Sequence, residues 1–510
     1  MNQNTAECGL LLVLPRKSYS NSQIRWYKNF MLFKRKKILL AALIFSAFCI
    51  GSFAAYFALS EMNDDRQKHL KIKRLKKRRK VERKKARALE KKLKKNTVPS
   101  PFEVSSMDGG RWATDNNDFS DDEISERHAE MMARLEAIGY MTGVTRATAQ
   151  KGAVIHDVAK IYGRNSIYVS GHASEAVLVD LDGRVLHRWA FSMKDIWPDH
   201  KNQLNYIRKF HLFPNGDLLV IFEGVGIAKI DRESNLIWAR QNGAHHDLDV
   251  LDNGDIYVLA RKARIIPSIS TSNPVLEAFV VGLKPDGTEF FRLSILKALM
   301  ESDYSGQLNK ADSRLPPGFH RAVRRGDLLH MNTVEYIRED SPDVPWIRKG
   351  DIITSSRNIC AMMAIDLKGG NITWFHKGLF TGQHEPVFVN GRNILFFDNS
   401  NHTKLSRVVE FDAKTLDEVW VYRGVNDSTF FSQCCSTARR LPNGNTLITI
   451  TDMGKVIEVT HDKEIVWEFV NPERAGDKNE YIASIFDMVR LSEDFPLDWL
   501  GKTGDKDSGI

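Results

Sequence analysis

One phrase recurs along the C-terminal three-quarters of this chain, and a chain that repeats a unit folds as a stack or ring of that unit. The phrase runs apolar, Pro or Asp, Asn, Gly, Asp or Asn, and then an apolar stretch. Copies stand at Phe213-Pro214-Asn215-Gly216-Asp217, Leu251-Asp252-Asn253-Gly254-Asp255 and Leu441-Pro442-Asn443-Gly444-Asn445, with a degenerate fourth at Val389-Asn390-Gly391-Arg392. Asn-Gly suits the left-handed positions of a tight hairpin, and the β-branched run after it suits a strand. A second phrase accompanies the first: a strand, a turn, and a strand closing on an aromatic ring. It ends at Trp189, Trp238, Phe290, Trp374, Trp420 and Trp467. Six such hairpins, each preceded by a strand pair, predict an all-β fold, a six-bladed β-propeller of four-stranded blades over residues 143–475. The indoles are expected to fill the gaps between blades, as core.

Charge divides the chain. Over 510 residues the formal net charge is +9. Residues 1–96 hold 26 Lys/Arg and 6 Asp/Glu, a net of +20, which leaves 47 and 58, a net of −11, for the rest. The repeat region is therefore acidic. The basic character belongs to the N-terminal part and gives no ground for a nucleic acid partner of the fold.

Ile38 to Ser60 is a run of 23 residues without a charge, long enough to cross a bilayer as a helix. The competing reading is a cleaved signal peptide, whose apolar region is shorter and closes on a small-residue cleavage site. The expected organisation is a basic segment (1–37), a single transmembrane helix (38–60), and a Lys/Arg-rich, helical stalk with linker (61–120). An amphipathic helix (121–141), the propeller (143–475) and a C-terminal tail (476–510) follow. Eight Lys/Arg precede the span and eighteen follow it, so the positive-inside rule puts the propeller in the cytoplasm. The five cysteines form no disulfide framework, and a bridge between adjacent Cys434 and Cys435 is sterically awkward.

A propeller alone fixes no activity. Polar residues just before the Asn-Gly phrase are expected to point at the axis, and several are histidines: His211, His245-His246, and Gln383-His384, with His330-Met331-Asn332 opening the intervening blade. In the last blade Gln433-Cys434-Cys435-Ser436 takes that place. Neutral imidazoles suit a metal or acid–base and nucleophilic chemistry. Ser355-Ser356-Arg357 favours the second, because a guanidinium repels a metal cation and suits a sulfate or phosphate oxygen.

His245-His246-Asp247, His330-Met331-Asn332, Ser355-Ser356-Arg357 and Gln383-His384, set among the repeats, resemble the bacterial arylsulfotransferase family. Ser170-Gly171-His172 and Phe397-Asp398-Asn399 are similar to its members as well, and the likeness covers roughly residues 143–472. The resemblance implies a six-bladed propeller that moves a sulfuryl group from a phenolic sulfate ester to a phenol through a sulfated histidine. It implies no nucleotide sulfate donor, no cofactor and no metal. On that implication His384 is the nucleophile, Arg357 holds the sulfuryl oxygens, and His330 and Asn332 bind the sulfuryl group. His246 is the acid toward the departing phenolate, and His245 joins the substrate-binding set. Periplasmic members carry a cleaved signal, whereas this chain has an uncleaved-looking span. The family expectation places the propeller on the periplasmic side of an inner-membrane anchor, against the cytoplasmic placement of the charge rule. The alternative function is a non-catalytic propeller that binds a protein or glycan at its central face. The insertion at 296–330 has no role legible in the sequence.

Overall fold

The Asn-Gly phrases form the turns between the first and second strands of their blades. In the computed structural model, described over residues 145–200, 206–308, 312–315, 317–400, 403–425, 430–475 and 478–501, the phrases place glycine alone in the left-handed region. Gly216, Gly254 and Gly444 have φ of +85°, +81° and +88°. The asparagine acts through its side chain instead. Its Oδ1 accepts the N–H two residues on, at 3.2 Å for Asn215, 3.0 Å for Asn253 and 3.1 Å for Asn443. These are three-residue turns, and only the degenerate copy has both residues left-handed, Asn390 at +54° and Gly391 at +64°.

Six antiparallel sheets form the blades. Blade 2 runs Lys209–Leu212, Leu218–Phe222, Gly226–Ile230 and Leu236–Arg240 from the axis outward. Blade 3 runs Ala244–Val250, Ile256–Arg264, Val275–Leu283 and Glu289–Ser294. Blade 4 runs Met331–Tyr336, Ile352–Ser356, Ala361–Asp366 and Asn371–His376. Blade 5 runs His384–Val389, Asn393–Asp398, Arg407–Asp412 and Glu418–Tyr422. Blade 6 runs Thr437–Arg440, Thr446–Ile450, Lys455–Val459 and Ile465–Val470, and carries Gly152–His156 as a fifth, outermost strand. Blade 1 takes Asn165–Ser170, Glu175–Asp180 and Val185–Ala190 from the start of the ring and Ile485–Arg490 from the end.

That closure corrects the sequence reading. The segment read as a tail from 476 supplies the innermost strand of blade 1, and Leu491, Phe495, Leu497 and Trp499 pack on the same core. No Asn-Gly turn follows this strand, because its partner Asn165–Ser170 lies at the other end of the sequence. The span at 38–60, the stalk at 61–120 and the helix at 121–141 lie outside the described residues. Among the described residues no helix is long and apolar enough to cross a membrane.

The core is six interblade layers. Successive residues of one strand serve opposite layers: Ile394 and Phe396 pack toward blade 4, and Leu395 and Phe397 toward blade 6. Both faces are buried, which is why these strands read as continuous apolar runs. The aromatic ends of the outer strands fasten neighbours. Trp189 Nε1–H donates to Gly216 O of blade 2 (3.0 Å), Trp238 to Pro285 O of blade 3 (3.0 Å), and Trp420 to His461 O of blade 6 (2.8 Å). Trp467 closes the ring on Leu181 O of blade 1 (3.0 Å). Trp374 instead stacks on Trp346, centroids 4.1 Å apart.

Candidate active site

The three histidine-bearing inner strands share a local irregularity. Each breaks register where the histidine stands: between Ala244 and Leu248, between Met331 and Val334, and between His384 and Val387. His246 and His330 have φ of +56° and +50°, and Glu385, after His384, has +50°. Such bulges and left-handed residues cost strain and re-aim side chains. Here they turn successive imidazoles from blades 3, 4 and 5 toward one point. The ring of His246 lies 4.9 Å from that of His330 and 6.5 Å from that of His384, centroid to centroid.

Each ring has its own partner behind it. His384 Nδ1 is 2.7 Å from Asn399 Oδ1 and 2.8 Å from Gly382 O, and the Cys435 N–H donates to His384 Nε2 at 3.3 Å. His330 Nδ1 is 2.7 Å from Asp327 Oδ2. His246 Nδ1 is 3.2 Å from Glu223 Oε1, and the His246 N–H donates to Glu223 Oε2 at 3.1 Å. His245 stands behind His246, with its Nδ1 2.9 Å from that of His246.

Arg357 follows the second strand of blade 4. Its Nε and Nη2 donate to Asn358 Oδ1 at 3.2 and 3.1 Å, and its N–H donates to His330 O at 3.2 Å. The insertion braces this turn: the Asp312 N–H donates to Asn358 O at 3.0 Å, and Asn358 Nδ2 donates to Asp327 O at 2.6 Å. The insertion thus positions Arg357 and, through Asp327, His330. Asn332 Nδ2 donates to Gln383 O at 2.7 Å, beside His384.

Burial sets the charge of the rings. It pushes His384 well below the usual histidine range, helped by His246, Arg357 and Arg208 and opposed by the Asn399 hydrogen bond. It lowers His330 likewise, with Arg357, His246 and His384 acting the same way. His245 is lowered by burial and then by His246 and Arg261. His246 is lowered by burial, against the pull of Glu223. Burial alone would raise Glu223, yet His246 and Arg261 hold it well below the usual carboxylate range. The resting site is neutral imidazoles among the cations Arg208, Arg261 and Arg357.

Beneath the histidines an ion network fills the axis. Lys209 Nζ lies 3.1 Å from Asp247 and 3.3 Å from Asp487, and also pairs with Glu385. Arg439 pairs with Glu385 and Asp487, each at 2.5 Å. Burial, against Lys209 and with Glu385, pushes Asp247 up to about 6.

All six sequence-derived site residues meet here: His384, His246, His330 and Arg357 ring the centre, with Asn332 and His245 one step behind. His211 does not. It faces Phe213 and the Asp249–Arg338 pair, and burial lowers it to about 4. Arg208 takes the blade 2 place. The sequence reading also missed Glu223, Arg261 and Asp327, and it named Asn399 within a family-like motif without giving it a role. A second register holds two of them: Glu223 and Arg261 each stand seven residues after a turn glycine, Glu223 just past the second strand of blade 2 and Arg261 inside the longer second strand of blade 3.

Two groups among the described residues bring metal-ligating atoms within 4.8 Å of one another: Glu223, His245 and His246, and the more exposed His172, Glu175 and Glu473. Arg261 and Arg208 stand 3.5 and 3.8 Å from Glu223, which opposes a dication and suits an anion. Cys434 and Cys435 are free thiols.

A family profile described as Arylsulfotransferase (ASST) matches residues 209–472. No curated protein sequence matches the chain. Solved structures with a likeness include a protein of unknown function from Bacteroides caccae. It has 10% identity, coverage of 64% of this chain and 98% of that one, and a TM-score of 0.42. Another is the WD40 β-propeller domain of Doa1, with 11% identity, coverage of 68% and 96%, and a TM-score of 0.36. A third is the dihydro-heme d1 dehydrogenase NirN in complex with DHE, with 11% identity, coverage of 70% and 84%, and a TM-score of 0.34.

Proposed function

Because the chain belongs to the arylsulfotransferase family, we propose that it moves a sulfuryl group from a phenolic sulfate ester to a phenol by way of a sulfated His384. The observation that carries this reading is the neutral, buried His384 set against His246, His330 and a cluster of guanidinium groups. The site is cationic before substrate arrives, so it suits a sulfate monoester, which is an anion at any ordinary pH. Nδ1 of His384 faces only oxygen acceptors, which puts the lone pair on Nε2, and the 3.3 Å hydrogen bond it accepts from the Cys435 N–H gives way as Nε2 attacks sulfur. The N–S bond forms as the S–O bond to the ring carbon's oxygen breaks, and the phenolate leaves with its electron pair.

Sulfuryl transfer resembles phosphoryl transfer in being loose, so positioning and charge stabilisation supply most of the rate. Arg357 and His330 hold the sulfuryl oxygens. Asn332 holds the Gln383 carbonyl beside the nucleophile, with a second amide hydrogen left for the sulfuryl group. His246, backed by ionised Glu223, carries the proton the phenolate takes up, and the incoming anion favours its protonation. In the second half the acceptor phenol gives its proton to His246, its oxygen attacks sulfur, and the N–S bond breaks. The anchor at 38–60 and a periplasmic propeller complete the proposal, and a reporter fused after residue 501 reads the side of the membrane.

The test is an aryl sulfate whose phenol is coloured. Donor alone should release about one equivalent of phenol per site as a burst, and an added phenol should sustain turnover. His384→Ala should lose both. Equal release from wild type and His384→Ala would refute the reading.

A further inference from the structure

We propose that Asn399 is the positioning residue that fixes His384 as the Nδ1-protonated, uncharged tautomer, so that Nε2 is the reacting atom. The inference rests on His384 being the nucleophile and concerns what makes it one.

The amide cannot be turned around. Asn399 Nδ2 donates to Ser432 O at 2.8 Å and to Cys435 O at 3.2 Å, two groups that only accept. Oδ1 is therefore the atom 2.7 Å from His384 Nδ1, and it too only accepts. Gly382 O, 2.8 Å away, imposes the same demand. The proton must sit on Nδ1. On the other side of the ring the Cys435 N–H points at Nε2, which fits a lone pair there and no proton. Asn399 grips the segment that supplies this N–H, so one residue sets both edges of the imidazole.

Its chemistry differs from that behind the other two rings. His246 is backed by Glu223 and His330 by Asp327, carboxylates that favour a charged imidazolium. An amide gives the same geometry without the charge. The nucleophile stays neutral, while a carboxylate-backed neighbour can accept and return a proton. Besides Asn399, the groups facing His384 are His246 from blade 3, His330 and Arg357 from blade 4, Arg208 from blade 2 and Cys435 from blade 6, with Glu385 next along its own strand. A carboxylate in place of the amide is the change that would let the ring charge.

The test uses the full-length chain with 15N-labelled histidine, His384 being assigned by its loss in His384→Ala. Wild type should show a protonated Nδ1 and an unprotonated Nε2 through the neutral range. Asn399→Asp should show both nitrogens protonated at pH 7, with burst-phase phenol release slowed by about 100-fold or more and recovering as pH rises, at little change in donor KM. A wild-type ring protonated on Nε2, or an Asn399→Asp ring still neutral at pH 7, overturns the proposal. If Asn399→Asp does not fold, the wild-type tautomer decides alone. The nitrogen shifts need no turnover, so a failure of sulfuryl transfer is read separately from a failure of the tautomer assignment.

Discussion

The ring closes at the seam between blades 6 and 1, and one buried ion pair holds that seam. Glu458 and Arg490 are 3.0 Å apart, with both side chains 0% exposed. Glu458 Oε1 accepts from the Tyr162 N–H and from Asn445 Nδ2, each at 2.8 Å. Arg490 Nη1 donates to Ser166 Oγ at 2.9 Å, and its guanidinium lies 4.2 Å over the Trp467 ring. Burial lowers Arg490 against the pull of Glu458, so its charge is tolerated because a partner answers it. Glu458→Gln keeps an oxygen for Tyr162 and removes the charge. An unanswered buried cation costs about 3–5 kcal/mol, a large share of the roughly 5–15 kcal/mol that holds a typical domain. For a propeller of this size that corresponds to a melting temperature lower by on the order of 5 °C. Pairing Glu458→Gln with Arg490→Met should recover most of the loss, because no buried charge remains and the methionine stem still covers Trp467. Urea unfolding followed by tryptophan fluorescence measures both. A loss below about 1 kcal/mol in the single variant, or a double variant worse than the single, would refute the reasoning.

Two further outcomes concern the site. For His384 as the proposed nucleophile the active form is deprotonated, and its folded pKa is depressed, so the protonation that stops attack moves to lower pH: kcat/KM for an aryl sulfate should hold level as pH falls through 6.5 and drop only well below it. An acid limb at or above 6.5 contradicts that. Arg357→Lys keeps the charge but loses the fork held by Asn358, and should lower kcat by roughly 10²–10³-fold with the fold intact by circular dichroism.

Blade number was legible because each blade carries the hairpin closing on an aromatic ring, at Trp189, Trp238, Phe290, Trp374, Trp420 and Trp467, and three blades add a turn completed by glycine, at Gly216, Gly254 and Gly444. The closing strand was not, because Ile485–Arg490 pairs with Asn165–Ser170 across most of the chain, and no local turn announces it. The histidine cluster was legible in blades 3 to 5 but misplaced in blade 2. His246 stands eight residues before its turn glycine, and the residue eight before Gly216 is Arg208. His211, five before, matches Asp249, the residue it faces away from the cluster. Blade 4 has no Asn-Gly turn after its inner strand, and in blade 5 His384 stands seven residues before Gly391, so a fixed offset fails outside blades 2 and 3. The roles of the partners behind the rings stayed hidden because Glu223 and Asn399 directly follow second strands and Asp327 lies in the insertion, away from the phrase that marks the histidines.

The seam and the site share one strand. Ile485–Arg490 sends Arg490 to Glu458 in the seam and Asp487 to Lys209 and Arg439 on the axis. Those two cations also hold Glu385, whose left-handed backbone follows His384. The strand latest in the sequence therefore fixes both the closure and the residue beside the proposed nucleophile. A chain that has not docked this strand lacks one carboxylate of the axial network. Lys209 and Arg439 are then left with Glu385 and Asp247 alone, and the peptide after His384 loses a constraint that its strained conformation needs. The proposed sulfuryl transfer is in this way tied to a closed ring, because the geometry at His384 is assembled by the same strand that completes blade 1.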